Sequence, residues 1–300
     1  MALRMIRMVR RQAAACAAAF QFLTRLPVPV QLQYDDAMFR RSVIWYPLVG
    51  AVLGVIVAAL GALLTGWAGL SAEVSAALVL GCWVALTGAL HLDGLMDTAD
   101  GLLSHRSRER MLEIMKDSRV GAMGVVACVL LLLVKWTLLS ELLHSVQSMN
   151  DVESARRHPW TAGSGSTWLA LLPLAAIWSR WWMVAAVAGF PYARSTDEAG
   201  AGLGGLFRTV RLRHAVASFL VGVSVSGMML YAGMRLGWVQ LPAMQAVLVL
   251  LVCIAVTCGI GFWLSRVMTR KLGGLTGDTY GAMNELLEAS LLLVLVLMAG

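Results

Sequence analysis

Seven long apolar segments dominate the sequence, and they restrict the chain to folds that can exist in a lipid bilayer. A helix needs roughly 20 apolar residues to cross the hydrocarbon core. Six segments reach that length, and the last is shorter and needs tilt or local thinning of the bilayer. Helices satisfy every backbone polar group internally, as lipid demands. The segments lie approximately at residues 44–66, 72–92, 122–143, 168–190, 215–236, 243–264 and 284–299.

The composition excludes an ordinary water-soluble protein. Hydrophobic residues make up 59% of the chain and charged residues 14%, against roughly 25% charged residues in a soluble domain. We therefore predict an all-α, polytopic membrane bundle of about seven transmembrane helices, forming a single membrane-embedded domain over residues 1–300. Residues 1–43 are its cytoplasmic or interfacial N-terminal region. Within that region, the Arg- and Ala-rich residues 1–24 predict an amphipathic interfacial helix, not a cleaved signal.

The distribution of basic residues predicts the orientation. Nineteen Lys and Arg residues lie in the N-terminal region and in the connections 93–121, 191–214 and 265–283, against three in the other connections. Basic connections stay in the cytoplasm, so we expect the N-terminus and these connections to face the cytoplasm, with the protein in the cell (inner) membrane. Topology thus explains the formal charge of +7, and we predict the lipid bilayer but no nucleic acid as a partner.

A few residues stand out within the apolar segments. The five cysteines are scattered and form no C-x-x-C pair, so neither a zinc site nor a disulfide framework is indicated. Small residues at Gly50, Gly54 and Gly61 predict close helix packing. Lys135 and Arg180 lie inside predicted spans, where a charge needs a partner. Three neighbouring tryptophans offer Arg180 a cation–π contact, whereas Lys135 has no evident role.

The segment from residue 91 to residue 101 concentrates acidic side chains at the end of an apolar run. On a continuing helix, Asp93, Asp97 and Asp100 share one face, with neighbours about 5–6 Å apart. Like charges this close repel, and a divalent cation such as Mg²⁺, Mn²⁺ or Ca²⁺ relieves the repulsion. These acids are therefore predicted metal ligands, and a solvated helix end is the alternative. His91, Asp93 and Asp97 are the candidate catalytic residues, with an interfacial role as the alternative for His91.

Basic residues near the acidic segment are candidates for binding a phosphate group. Lys116, Ser118 and Arg119 precede the third span and can cradle phosphate oxygens, while Asp117 can add a metal ligand. The alternative is a juxtamembrane charge cluster that only sets topology. Arg25, between the N-terminal helix and the first span, can hold a phosphate or contact lipid headgroups.

A glycine-rich segment before the last span is the third candidate. Glycine lets backbone amides approach an anion, so Gly277, Thr279 and Asn284 are candidate substrate-binding residues. Asp278 and Glu285 are candidate metal ligands. The alternative is a flexible loop that ends in an ordinary helix cap, because the segment matches the phosphate-binding loop consensus poorly.

The order of these segments resembles the cobalamin synthase family, the adenosylcobinamide-GDP ribazoletransferases, over most of the chain. The combination of an Asp-rich segment with a late Gly-Asp-Thr segment is specific. The resemblance rests on residues 22–29, 45–50, 86–101, 117–121 and 276–282.

The family resemblance implies a reaction. Adenosylcobinamide-GDP and α-ribazole, or its 5′-phosphate, would give adenosylcobalamin, or its 5′-phosphate, and GMP, with Mg²⁺ as the expected cofactor. A hydroxyl of ribazole would attack the phosphorus on the cobinamide side of the pyrophosphate. Phosphoryl transfer mainly requires positioning and charge neutralisation, and the acidic and basic residues of the three segments provide both. Asp93 could also accept the hydroxyl proton.

Other classes of protein share parts of this pattern. A membrane phosphotransferase for CDP-alcohols also uses spaced aspartates, but its Asp-Gly-x-x-Ala-Arg core is absent here. A prenyltransferase would carry a second Asp-rich motif where this chain has Gly-Asp-Thr. A cation-coupled transporter would need acids near the middle of the bilayer, whereas the acids of the candidate segments are expected at its cytoplasmic edge.

Overall fold

The structure, a computed structural model, describes residues 2–32, 35–147, 165–193 and 209–299. Within those residues the chain is almost entirely helical, and its only extended pairing is an isolated parallel bridge between Tyr192 and Leu275. The helices are α1 Ala2–Leu23, α2 Asp36–Ser42, α3 Tyr46–Ala62, α4 Ala72–Thr87, α5 Leu90–Leu102, α6 Arg108–Ile114, α7 Ala122–Gln147, α8 Gly165–Leu171, α9 Pro173–Gly189, α10 Leu212–Arg235, α11 Ala243–Leu272 and α12 Gly277–Ala299.

The predicted polytopic bundle is confirmed. Six helices of the described chain are long and apolar enough to span a membrane, and a seventh span is possible if the bent pair α4–α5 counts as one. The first span is continuous from Asp36 to Trp67, since α2 and α3 are joined by a 3₁₀ turn and a π-helical turn extends α3.

The second apolar segment differs from the straight helix expected over 72–92. It breaks after Thr87, and α5 leaves at 88° to α4. Gly88 and Ala89 both adopt left-handed backbone conformations, with φ of 61° and 57°. Glycine adopts this conformation without penalty, and alanine does so only when the surrounding structure imposes it. The break therefore turns the acidic helix across the bundle instead of continuing the span.

Helix α9 forms the centre of the bundle. Most of the window from Thr167 to Gly189 is buried, and α9 packs against α3, α10, α11 and α12. Glycines permit the closest of these contacts. A Cβ atom on Gly50 would lie 2.6 Å from the carbonyl carbon of Ala176, so the predicted packing role of the α3 glycines is confirmed.

The N-terminal helix α1 is anchored at its C-terminal half. Ala15, Ala19 and Leu23 are buried there, and the ring of Phe22 stacks on that of Tyr46 with centroids 6.3 Å apart. The N-terminal half instead exposes apolar side chains, namely Met5, Ile6, Met8 and Val9. The predicted helix is present, and its exposed apolar residues are those an interfacial helix would place in the lipid headgroup layer.

Candidate functional site

Helix α5 carries all three acids of the candidate site. Because α5 begins only at Leu90, after the bend of 88°, the acids lie on a short separate helix and not at the end of a long span. Asp93 is exposed, whereas Asp97 and Asp100 are half-buried. His91 points the other way and is buried, at 2% exposure. The structure thus separates His91 from the exposed carboxylate of Asp93, although the two residues are close in sequence.

Asp100 connects α5 to the start of α7. One carboxylate oxygen accepts the backbone N–H of Gly121 and the other accepts that of Gly124, each at 2.7 Å. These amides have no partner within α7, and a negative charge at a helix N-terminus is favourable. Glycine is required at position 124, since a Cβ atom there would lie 2.8 Å from the carbonyl oxygen of Met96. Asp100, predicted as a metal ligand, therefore serves as a cap in this structure.

We expect the Asp100→Asn variant to be less stable by about 1 to 3 kcal/mol. An asparagine side chain has a single acceptor oxygen, whereas the backbone N–H groups of Gly121 and Gly124 need one acceptor each. The melting temperature of the detergent-solubilised protein, measured without Mg²⁺, would show this loss. Glu109→Gln is a matched control, since Glu109 is an exposed acid in the first turn of α6. If Asp100→Asn melts like the wild type and only its Mg²⁺ requirement changes, the capping role is wrong.

Helices α5 and α12 cross at unusually short distance. A Cβ atom on Gly94 would lie 2.7 Å from the backbone oxygen of Asp278, and one on Gly281 would lie 3.2 Å from the Cα atom of His91. The crossing brings Asp278 beside the turn of α5 that carries Asp93 and Asp97. Two segments about 180 residues apart in sequence therefore meet at their backbones, and each of them carries acids of the candidate site.

A capping box fixes the start of α12. The backbone N–H of Thr276 donates to the hydroxyl of Thr279 at 2.8 Å, and the N–H of Thr279 donates to the hydroxyl of Thr276 at 3.3 Å. Both threonines are fully buried. Thr279, a predicted substrate-binding residue, thus orders the helix start, while Gly277 is exposed and a Cβ atom there would meet nothing within 4 Å.

Arg25 lies at the bend between α4 and α5. Its backbone N–H donates to the carbonyl of Leu86 at 2.7 Å, and its side chain covers Gly88 so closely that a Cβ atom there would collide with Nε. Arg25 as a whole is nevertheless exposed. The N-terminal segment therefore places a cation at the start of the acidic helix.

The loop before α7 adds further charged groups. The guanidinium of Arg119 donates to both carboxylate oxygens of Asp117, with the shortest contact at 2.6 Å, and this pairing lowers the pKa of Asp117 to about 2. Asp117 is therefore ionised throughout the physiological range. Lys116 and Ser118 are exposed beside the pair. The Asp100 cap holds this loop next to α5.

A further contact orders the same end of the bundle. Arg108 packs over Gly273, whose φ is 73°, and its Nη2 donates to the carbonyl of Ala193 at 3.3 Å. The chain around Ala193 pairs with Leu275 through two backbone hydrogen bonds of 2.8 Å. The connections that are rich in basic residues therefore contact one another.

Two predicted site residues, Asn284 and Glu285, lie deeper inside the bundle. Glu285 accepts a hydrogen bond from Lys135 at 2.5 Å, and Asn284 donates to Glu288 at 3.2 Å. Sequence reasoning missed Glu288 as a site member, although it stands three residues after Glu285 within the last apolar segment. The structure also gives Arg180 a carboxylate partner, Glu288 at 2.7 Å, where a cation–π contact was expected.

These buried acids correct one argument from the sequence. A transporter was disfavoured because the acids of the candidate segments were expected at the membrane edge. That expectation was wrong for Glu285, and Glu288 lies one turn further along the same helix. Both are buried among spanning helices, at 5% and 0% exposure. Lys135 and Arg180 neutralise them, so they form ion pairs with the protein's own cations.

The carboxylates at the α5–α12 crossing fit a hard divalent cation. Across the described ranges, no three or more His, Cys, Asp or Glu side chains stand together as a ready-made metal cage. Mg²⁺ does not require one, since it usually binds through one or two carboxylates together with waters and substrate phosphates. Asp93 and Asp97, one helical turn apart, have the chemistry and spacing for that mode.

The fold and this site define a polytopic helical membrane protein with acidic and basic side chains gathered where several helices end. The chain belongs to the cobalamin-5-phosphate synthase family, whose sequence model matches residues 15–296.

Curated relatives of similar length carry one name, adenosylcobinamide-GDP ribazoletransferase. The protein of Brevibacillus brevis is 39% identical over 93% of this chain and 96% of its own length. That of Pseudomonas syringae pv. syringae is 38% identical over 93% and 98%, and that of a Roseiflexus species is 35% identical over 95% and 90%. No solved structure matches the chain.

Proposed function

We propose that the protein is an adenosylcobinamide-GDP ribazoletransferase, which joins adenosylcobinamide-GDP to α-ribazole or its 5′-phosphate and releases GMP. The near-complete coverage of relatives with this name carries the proposal. The structure supports it, because the Asp-rich and Gly-Asp-Thr segments touch at Gly94 and Asp278.

The reaction forms one bond to phosphorus and breaks another. A hydroxyl oxygen of ribazole bonds to the phosphorus on the cobinamide side, and the anhydride bond to the second phosphorus breaks. GMP leaves with the bridging oxygen and its electron pair, and the hydroxyl proton passes to a base. Asp93 is the candidate base, since it is the exposed carboxylate of α5. His91 is buried, so a catalytic role for it would require the substrate to reach into the bundle.

We infer that Mg²⁺ is held by one or two of the carboxylates of Asp93, Asp97 and Asp278, together with the pyrophosphate oxygens of the substrate. Asp278 also accepts a hydrogen bond from the hydroxyl of Thr276 at 3.3 Å. The remaining predicted ligands lie in contacts that fix the fold. Asp100 caps α7, Asp117 pairs with Arg119, and Glu285 pairs with Lys135. When bound, the cation would neutralise charge on the pyrophosphate and its leaving oxygen.

The exposed cations around α5 are the proposed phosphate contacts. Arg25, Lys116 and Arg119 carry positive charge beside the acidic helix, and Arg119 can exchange its contact with Asp117 for one with phosphate. The exposed backbone at Gly277 and the hydroxyl of Ser118 add hydrogen-bonding groups. These groups would orient the pyrophosphate so that the attacking and leaving oxygens lie in line.

We propose that this site faces the cytoplasm in the cell membrane. The connections that touch one another through Arg25, Asp100 and Arg108 are those that carry most of the basic residues, as the positive-inside rule requires. Glu73 and His144, whose side chains are 2.7 Å apart, lie at the end of the bundle opposite to the proposed site.

The direct test incubates the purified protein in lipid nanodiscs with adenosylcobinamide-GDP, α-ribazole and Mg²⁺. We expect equal amounts of adenosylcobalamin and GMP, formed without any ion gradient, by liquid chromatography. A parallel reaction with α-ribazole 5′-phosphate identifies the preferred acceptor. A folded protein that forms no corrinoid product with either acceptor contradicts the proposal. Gradient-driven uptake by proteoliposomes without GMP formation would favour a transporter.

A further inference from the structure

A cluster of four ionisable side chains, Lys135, Arg180, Glu285 and Glu288, lies inside the membrane-spanning part of the protein. All four are at most 5% exposed. The two contacts of Lys135 Nζ with Glu285 and Glu288 measure 2.5 and 2.6 Å, and Arg180 Nη1 lies 2.7 Å from Glu288. Ionised groups inside a membrane bundle are costly and usually mark functional positions.

The ion cluster ties several helices to α12. Glu288 is its centre, because one carboxylate oxygen accepts from Lys135 on α7 and the other from Arg180 on α9. Asn284 donates to the second oxygen as well, at 3.2 Å. The Lys135 ammonium lies 5.0 Å from the ring centroid of Trp83 on α4. Two basic side chains face two acidic ones, so their formal charges cancel.

The ion cluster lies on the same side of α12 as the acidic site. Asp278, Gly281, Asn284 or Glu285, and Glu288 follow at helical spacings of three or four residues and form one stripe. The backbone of Gly281 touches His91 on α5, so the stripe runs through the crossing of α12 with α5. Any rotation or sliding of α12 that moves Glu288 must also move Asp278 relative to α5.

Stability alone does not account for the ion cluster. Replacing a buried ion pair with well-packed apolar side chains is often neutral or stabilising. Several buried polar atoms here, Arg180 Nε and Nη2 and both ring nitrogens of His91, also have no hydrogen-bond partner within the described chain. Such groups are costly to bury, so the arrangement is not the one that stability would select.

We propose that Lys135, Arg180, Glu285 and Glu288 are positioning residues that fix the depth and rotation of α12, so that Asp278 stays against the turn of α5 that carries Asp93 and Asp97. This inference rests on the proposed function for its catalytic readout. Neutral pairs of substitutions separate positioning from folding, because each removes one cation and one carboxylate together. The pairs are Lys135→Met with Glu285→Gln, and Arg180→Met with Glu288→Gln.

The experiment compares both double variants with the wild type in nanodiscs. We expect each to insert and purify normally, with kcat reduced at least tenfold and KM for adenosylcobinamide-GDP changed less than threefold. The matched control is Arg110→Ala with Glu113→Ala, which removes an exposed ion pair on α6 at 2.6 Å and should leave kcat unchanged. Lys135→Arg, which keeps the charge, should retain most of the activity.

A distance measurement decides the proposal without relying on activity. Spin labels on cysteines introduced at Leu103 and Leu293, both exposed, report the placement of α5 relative to α12 in a background whose five native cysteines are replaced. The label separation should shift or broaden in both double variants and stay fixed in the α6 control. An unchanged separation, or a wild-type kcat in both double variants, overturns the proposal. If the wild type itself forms no product, the proposed function fails and the label separation alone tests positioning.

Discussion

The Asp97→Asn and Asp93→Asn variants are each expected to lose at least a hundredfold in kcat while remaining folded. Removing one group that stabilises developing charge typically costs about 10²–10³ in rate, and loss of a metal ligand removes the cation as well. Both residues lie on α5 beside Asp278. Initial rates of GMP formation over a range of Mg²⁺ concentrations would measure the effect, and we expect half-saturation to require more Mg²⁺.

An aspartate outside the site provides the matched control for these two variants. Asp36 is an exposed carboxylate in the first turn of α2, and Asp36→Asn should keep the wild-type rate and the wild-type Mg²⁺ requirement. If Asp93→Asn and Asp97→Asn both react at the wild-type rate under limiting Mg²⁺, α5 does not hold the metal.

The Gly94→Ala variant is expected to lose both stability and activity. Its new methyl group would lie 2.7 Å from the backbone oxygen of Asp278, and neither backbone can yield without moving its helix. Overpacking of this kind costs about 1 to 3 kcal/mol, and a displacement of about 1 Å at a reacting centre can cost a hundredfold in rate. Melting temperature and kcat, measured on the same preparation, would show the two losses.

Gly81→Ala is the matched control for this substitution. Gly81 also lies within a helix, but a Cβ atom there would meet nothing within 4 Å, and alanine is the better helix former by about 1 kcal/mol. That variant should be at least as stable as the wild type and fully active. Wild-type stability and activity in Gly94→Ala would mean that α5 and α12 do not meet as closely as the structure places them.

Most of the spanning helices could be predicted from the sequence because each has a local cause. An apolar run of sufficient length has few alternatives to a membrane helix, and the structure has six of them in the expected places. The bend after α4 was not predicted. It depends on left-handed conformations at Gly88 and Ala89, and Ala89 gives no local signal for one.

The site was predictable as a set of residues but not as an arrangement. Carboxylates spaced three or four residues apart on α5 were visible in the sequence, whereas the contact between Gly94 and Asp278 depends on tertiary packing. The same holds for Lys135, whose partners lie 150 and 153 residues away. A single sequence contains little information about long-range pairings of this kind. It indicates only that a charge buried in the membrane needs an opposite charge elsewhere in the fold.

The buried charges also impose an order on biosynthesis. Lys135 and Arg180 belong to helices that leave the ribosome before α12, whose Glu285 and Glu288 neutralise them. A Lys or Arg at the centre of a membrane helix costs about 2.5–3.5 kcal/mol during insertion. The nascent bundle therefore cannot close until its C-terminal helix has been made. A chain truncated before that helix would hold two uncompensated cations in the membrane.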